Sequence, residues 1–137
     1  MALTSYVIGF AIPPSEMISL NGRAHWAAVH RQTVMLRSRG SLMVRAATRP
    51  RFRMATLTVH VAYPDHRRRD VHNLMGTVKP LVDGMVDAGL LPDDDDTHLI
   101  GPDLRVWARG DRAVDETMAG LGHPSWLRLV CTFVGET

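Results

Sequence analysis

Residues 54 to 91 read MATLTVHVAYPDHRRRDVHNLMGTVKPLVDGMVDAGLL, and the order of elements in this stretch decides the fold. Met54 to Tyr63 alternates: Ala55, Leu57, Val59 and Val61 fall on one side, and Thr56, Thr58 and His60 on the other. A period of two is that of a half-buried strand. Pro64 ends it, and three arginines follow. Asn73 to Leu91 has helical spacing but contains Pro80, which in a helix interior removes a hydrogen bond and crowds the preceding turn. A helix starting near Thr77 removes the conflict, with Thr77 as N-cap and Pro80 in the first turn. Leu81, Met85 and Ala88, with Val82 alongside, make its apolar stripe. Ala88-Gly89 supplies a left-handed stop.

Outward from this strand–helix unit, Ser5 to Ile12 reads as a first strand stopped by Pro13-Pro14, not as a secretory signal. Arg23 to about Ala47 reads as a helix whose apolar face carries Trp26, Val29, Leu36, Met43 and Ala47, with Gly40 a place to kink or split it. Leu90 to Asp96 is a loop. Thr97 to Ala108 is an irregular strand interrupted by Gly101-Pro102, Asp111 to Pro124 a loop with room for one helical turn, and Trp126 to Val134 a last strand. The order β–α–β–α–β–β predicts an α+β fold, with two main helices on one face of a small mixed sheet. With 137 residues and no linker or repeat, one domain over 1–137 is expected. A chain of this size buries roughly 70% of the surface its unfolded form exposes.

No stretch approaches the roughly 20 apolar residues of a membrane-spanning helix, and no membrane partner is expected. The single cysteine, Cys131, lies in the apolar run WLRLVCTFV and reads as a buried thiol, which fits a reducing cytoplasm. Net charge is only +2, yet it is unevenly spread. Lys79 is the one lysine among sixteen basic residues, and eleven of the sixteen precede Asp70. No acid stands between Glu16 and Asp65. Arginine forks match phosphate oxygens, so one reading is a polyanionic partner. The other is a solvated helix face, and charge alone does not separate them.

Asp70 and His72 stand two apart in an extended segment, so both side chains face one side. The acidic loop Asp93, Asp94, Asp95 and Asp96 follows one helix later. A helix folding back on its strand would return that loop towards Asp70. Carboxylates gathered this way repel unless a cation such as Mg²⁺ sits among them. Lys79 would then reach the same phosphate. Taken singly, each signal has a plain alternative: a solvated turn, an isolated Asp-x-His, exposed arginines.

The run RRRDVHNL, followed by VKPLVDGMVDAGLLPDDDDTHL, resembles the RusA-type Holliday junction resolvases, small dimeric endonucleases common in phages and prophages. The family pattern is a basic run, Asp-x-Asp-Asn-Leu, a lysine, a helix ending Ala-Gly, and a paired Asp-Asp. Arg67 to Asp70, Asn73-Leu74 and Val86 to Asp94 carry the match, and Pro13 to Ser15 and Asn21 to Arg23 are similar to the family's opening. The resemblance covers residues 5 to about 108 and is specific between Arg67 and Asp94. It implies a RusA-like fold and a homodimer that nicks four-way or other branched DNA with Mg²⁺ or Mn²⁺. Carried over, Asp70 is the first acid, Asp94 the third, Asp93 its neighbour, and Lys79 the lysine if three residues are inserted before it. His72 stands where the family has its second acid.

These implications give metal ligands Asp70, His72, Asp94 and Asp93, catalytic residues Asp70, Asp94 and Lys79, and DNA contacts from Arg67, Arg68, Arg69, Lys79 and Arg31. Histidine suits Mn²⁺ better than Mg²⁺. So a nitrogen-tolerant metal, compensation by Asp95 or Asp96, or weak catalysis all remain open. The alternative function is a weakened relative that binds branched DNA without cutting; an RNA-binding protein is a third. His66 and His98 flank the two clusters and read as surface or hydrogen-bonded residues. Trp26 and Trp107 read as core, with stacking on unpaired bases set beside that. A host cytoplasm is the expected location.

Overall fold

The computed structural model describes residues 3–18, 26–67 and 69–137. The order is β1 (Thr4–Ile12), α1 (Trp26–Arg45), β2 (Met54–Ala62), α2 (Met75–Asp87), β3 (Leu99–Val106), α3 (Arg112–Gly120) and β4 (Leu127–Glu136), with single 3₁₀ turns at Pro14–Glu16 and Val71–Leu74. The expected α+β class is observed. The four strands run β1-β4-β2-β3 across one mixed sheet. β4 is antiparallel to both β1 and β2, and β2 is parallel to β3. Strands β1, β2 and β3 therefore share a direction, and the last strand of the chain is inserted between the first two.

The β2 alternation holds: Ala55, Leu57, Val59 and Val61 are all buried. They meet Ile8, Phe10 and Ile12 of β1 and Leu127, Leu129, Cys131 and Phe133 of β4 in the main core, which α1 and α2 cover. Burying each such side chain contributes roughly 2 kcal/mol. Cys131 is fully buried, and burial pushes its thiol up to about 12. The opposite face of the sheet is covered in part by α3, whose Val114 and Met118 pack with Ala62 and Val130.

Four details differ from the sequence reading. Trp26 is 76% exposed and Met43 is also exposed, while Ala47 lies past the helix; the buried stripe of α1 is Leu36, Gly40 and Val44, a strict four-residue step. Gly40 neither kinks nor splits α1. A Cβ there would stand 2.2 Å from the Leu81 carbonyl oxygen, and one on Gly84 would stand 1.9 Å from that of Arg37. The two glycines let the backbones of α1 and α2 touch. Next, α2 begins at Met75, so Pro80 lies in its second turn and Thr77 is not its N-cap. The Thr77 hydroxyl, fully buried, accepts from Ile18 N at 2.8 Å and donates to Ile18 O at 2.9 Å. Finally, Arg112–Gly120 is a two-and-a-half-turn helix rather than one turn, capped by Asp111, whose carboxylate accepts from Val114 N. The apolar step Val114–Met118 was its signal.

The stop after α2 is as expected. Gly89, at φ +87°, follows Ala88; its N–H donates to Val86 O and that of Leu90 to Met85 O. This paired pattern closes the helix with the next residue buried. In β3, Gly101 at φ +108° accompanies a register shift opposite Thr56–Thr58. No described helix is long and apolar enough to cross a membrane.

Candidate metal and nucleic-acid site

The topology sets where the chemistry falls. β1, β2 and β3 end at one edge of the sheet, where β4 begins. From Tyr63 the chain leaves β2 at this edge. Asp70 is extended and caps the 3₁₀ turn Val71–Leu74, its carboxylate accepting from His72 N at 3.0 Å. The same Oδ1 lies 3.1 Å from His72 Nδ1. This cap explains the spacing: a carboxylate two residues ahead of an N–H closes the turn that leads into α2. The backbone N–H of His72, then its ring, hold the Asp70 carboxyl below the usual carboxylate range. Both side chains are open, at 64% and 75% exposure, and together with Arg69, Val71 and Val106 they line a shallow groove.

The thirteen residues of α2 carry the chain about 20 Å towards the opposite edge, where the acidic loop leads into β3. The four aspartates of that loop have separate duties. Asp93 accepts from Asp94 N at 2.7 Å, a local turn. Asp95 accepts from Thr97 N and Oγ1 and meets His98 Nδ1 at 2.8 Å. Asp96 is exposed. Asp94 alone is half-buried and reaches back along α2 to bond the Lys79 ammonium. Lys79 also donates to Asp83, four residues on, at 2.9 Å. The Lys79 bond is the first cause holding Asp94 low. Partial burial acts against the charge on Lys79, but its bonds to Asp94 and Asp83 outweigh this and raise it.

The structure thus brings Asp70 to His72 and Lys79 to Asp94, as two pairs. From Asp70 to Lys79 the turn and helix rise amounts to roughly 14 Å. Among the described residues no three histidines, cysteines or acids lie close enough to share a metal ion. Asp70 and His72 can offer one oxygen and one nitrogen to a divalent ion, with waters and phosphate oxygens completing its shell. Asp83 is the acid that sequence reading missed; its i,i+4 spacing from Lys79 was the available signal.

Of the arginines, Arg67 and Arg69 both bind Asp65, at 3.3 Å and 2.7 Å. Arg69 first, then the Arg67 backbone N–H, hold the Asp65 carboxyl well below its usual range. Arg31 is exposed on α1 and pairs with none of the described residues. Arg68 lies outside the described residues, as do Asn21 to Arg23 of the expected opening. Much of the acid-free segment is neutralised from elsewhere in the chain. Arg37 makes a two-pronged bond to Asp87 at 2.6 Å and 2.9 Å, Arg39 pairs with Glu16 at 2.6 Å, and Arg53 pairs with Glu136. Arg45 and Arg49 donate to the last carbonyls of α2, Asp87 O and Ala88 O. For these five, intramolecular use accounts for the arginine.

A second cleft, of about 420 Å³, opens beside the Asp70 groove at the same edge, between Tyr63–Arg67 with Arg69, Val106-Trp107 and Arg128. His66 is exposed on its wall and His98 is bonded to Asp95, in line with their expected surface roles. Trp107 is half-buried against the small core of Ala62, Val114, Met118 and Val130, its Nε1 donating to Asp115 at 2.9 Å. Set against known proteins, the chain matches no family model and no curated protein.

Proposed function

We propose that the chain is a metal-dependent, structure-selective endodeoxyribonuclease of the RusA type, acting as a homodimer that makes paired nicks in four-way or other branched DNA. The observation that carries the reading is the Asp70–His72 pair, set open beside Arg67 and Arg69 at the sheet edge from which α2 departs. Asp70 and His72 would hold one divalent ion, and the histidine nitrogen favours Mn²⁺ over Mg²⁺. Such an ion, when bound, polarises a phosphodiester and lowers the pKa of attacking water. Arg67 and Arg69 exchange Asp65 for backbone phosphate, giving contacts that position rather than read sequence. Lys79 and Asp94 stand ready as a charge pair one helical segment away; on a bound strand the ammonium turns to the phosphate and Asp94 is released. A two-fold dimer matches the two-fold symmetry of a junction.

The test is cleavage of labelled four-way junctions with Mg²⁺, Mn²⁺ and Co²⁺. Mn²⁺-dependent paired nicks, lost in Asp70→Asn with binding retained, are expected. Absence of nicks with every metal, from protein shown to be folded, removes the enzyme. The second reading, a relative that grips branched DNA without cutting, is favoured by one observation: Asp94 is held by Lys79 rather than gathered to Asp70. Tight, salt-sensitive junction binding without nicks would select it.

A further inference from the structure

We propose that the cleft at the edge where β2 and β3 end takes one unpaired nucleotide of a DNA strand, arginines meeting its phosphate and aromatic rings its base. The proposal rests on the reading above, that branched DNA is the substrate, and it adds Tyr63, Trp107 and Arg128 to the binding surface.

The charge balance comes first. Arg67, Arg69 and Arg128 line the cleft together with one acid, Asp65, which Arg67 and Arg69 already clamp. Three guanidinium groups against one carboxylate leave the cleft cationic, and guanidinium is the side chain best matched to phosphate oxygens. Next are two donors. Arg128 Nε and the Tyr63 hydroxyl are buried and meet no hydrogen-bond partner among the described residues, and both residues wall this cleft. A buried donor left unpaired is costly, so two at one place call for an acceptor. Arg128 is anchored from behind, its Nη1 reaching Met118 O at 3.4 Å. The Arg69 guanidinium lies 4.6 Å over the Tyr63 ring and roofs it. When Arg69 leaves Asp65 for a phosphate, the ring is uncovered.

Shape and rings complete the case. About 420 Å³ lies within the roughly 300 to 1,000 Å³ of small-ligand pockets. Trp107 is fixed by its bond to Asp115, so its ring needs no ordering before a base stacks on it, and Arg109 stands 5.9 Å from that ring. Stacking on tryptophan accepts any base, which suits a structure-selective protein. Bases inside a duplex have their faces covered. A branch point supplies nucleotides already freed from the stack, at less unstacking cost.

The experiment uses the full chain in EDTA, so cleavage is not read. Replacing Trp26 and Trp126 by Phe leaves Trp107 as the one tryptophan of three. A ten-residue oligothymidylate is added, and a blunt hairpin duplex of equal charge serves as the comparison. Saturable quenching of Trp107 by the single strand, with little by the duplex, is expected. Arg128→Gln should raise the required concentration about tenfold, and so should Arg67→Gln, an exposed position where folding is not at stake. Equal quenching by both DNAs, or unchanged titration in both variants, overturns the site. Quenching without junction cleavage in the metal assay keeps the nucleotide site and removes the nuclease. Cleavage without quenching removes the nucleotide site and keeps the nuclease.

Discussion

The Lys79 ammonium bonds the Asp94 carboxylate across fifteen residues of chain, and it bonds Asp83 one turn further along its own helix. One cation thus ties the acidic loop to α2. Both partners of the longer pair are partly open, at 49% and 29% side-chain exposure, so solvent screens it and about 0.5 to 1 kcal/mol is its expected worth.

Lys79→Met should therefore lower stability by about that amount at pH 7, measured by urea unfolding. The pH dependence has two limbs. Asp94 is held below its ordinary value when folded, so its contribution is complete above the unfolded carboxylate pKa and disappears as pH falls through the folded one. Lys79 is raised, so its contribution is complete below the unfolded lysine value and disappears as pH rises through the folded one. The wild-type advantage over Lys79→Met should be flat from pH 6 to 9 and vanish at both ends. An advantage that persisted at pH 2 would show that the side chain acts by packing instead.

Gly40 and Gly84 meet the opposite helix backbone with no room for a methyl group. The carbonyl oxygens they face belong to helices and cannot swing aside as a side chain can. Gly84→Ala should therefore separate α1 from α2 and cost about 3 kcal/mol, a drop on the order of 10 °C in Tm. Gly89→Ala, with nothing within 4 Å but φ +87°, should cost about 1 kcal/mol from backbone strain alone. Thermal unfolding of the two variants separates crowding from strain; equal losses would mean the helices do not pack as closely as described.

Thr77 supplies both the donor and the acceptor for Ile18. Thr77→Val keeps the shape and leaves the Ile18 N–H and C=O unmet, at a cost of about 1 to 3 kcal/mol. Thr77→Ser keeps the hydroxyl and should lose less than half as much. Calorimetric melting of the pair checks this, and equal losses would point to the methyl group rather than the bridge.

The residues that were legible in the sequence are those governed by local rules. The period-two run of β2 and the Ala88-Gly89 stop each fix their own geometry, and both are found as read. Contacts made across the chain were not legible. Gly40 looked like a helix breaker because its reason, the Leu81 carbonyl, lies forty-one residues on (81 less 40). For arginines 37, 39 and 53 the sequence left a phosphate surface and a solvated helix face unseparated, because their acids, Asp87, Glu16 and Glu136, belong to other elements. Within the site, the pairing of Asp70 with His72 was readable from their i,i+2 spacing, though it arises from the Asp70 cap on a 3₁₀ turn and not from the extended segment expected. That one acid of four, Asp94, turns to Lys79 was not, since it depends on how the loop leaves α2.

On the proposed reading, His72 decides which metal the Asp70 side of the site accepts. Its imidazole and the Asp70 carboxylate lie 3.1 Å apart and are both exposed, so replacing the ring perturbs no core. An imidazole nitrogen is a fair ligand for Mn²⁺ and a poor one for Mg²⁺, which takes oxygen in octahedral array. His72→Asp places a carboxylate at position 72 and adds one negative charge beside Asp70. Junction cleavage in Mg²⁺ should rise at least about tenfold over wild type, while cleavage in Mn²⁺ changes by less than about threefold. Without metal, the added repulsion should raise the pKa of Asp70, readable by NMR titration. Titrating Mg²⁺ and Mn²⁺ against both proteins, with initial nicking rates as the measure, checks the expectation. If Mg²⁺ activity stays at the wild-type level in His72→Asp, position 72 does not face the metal.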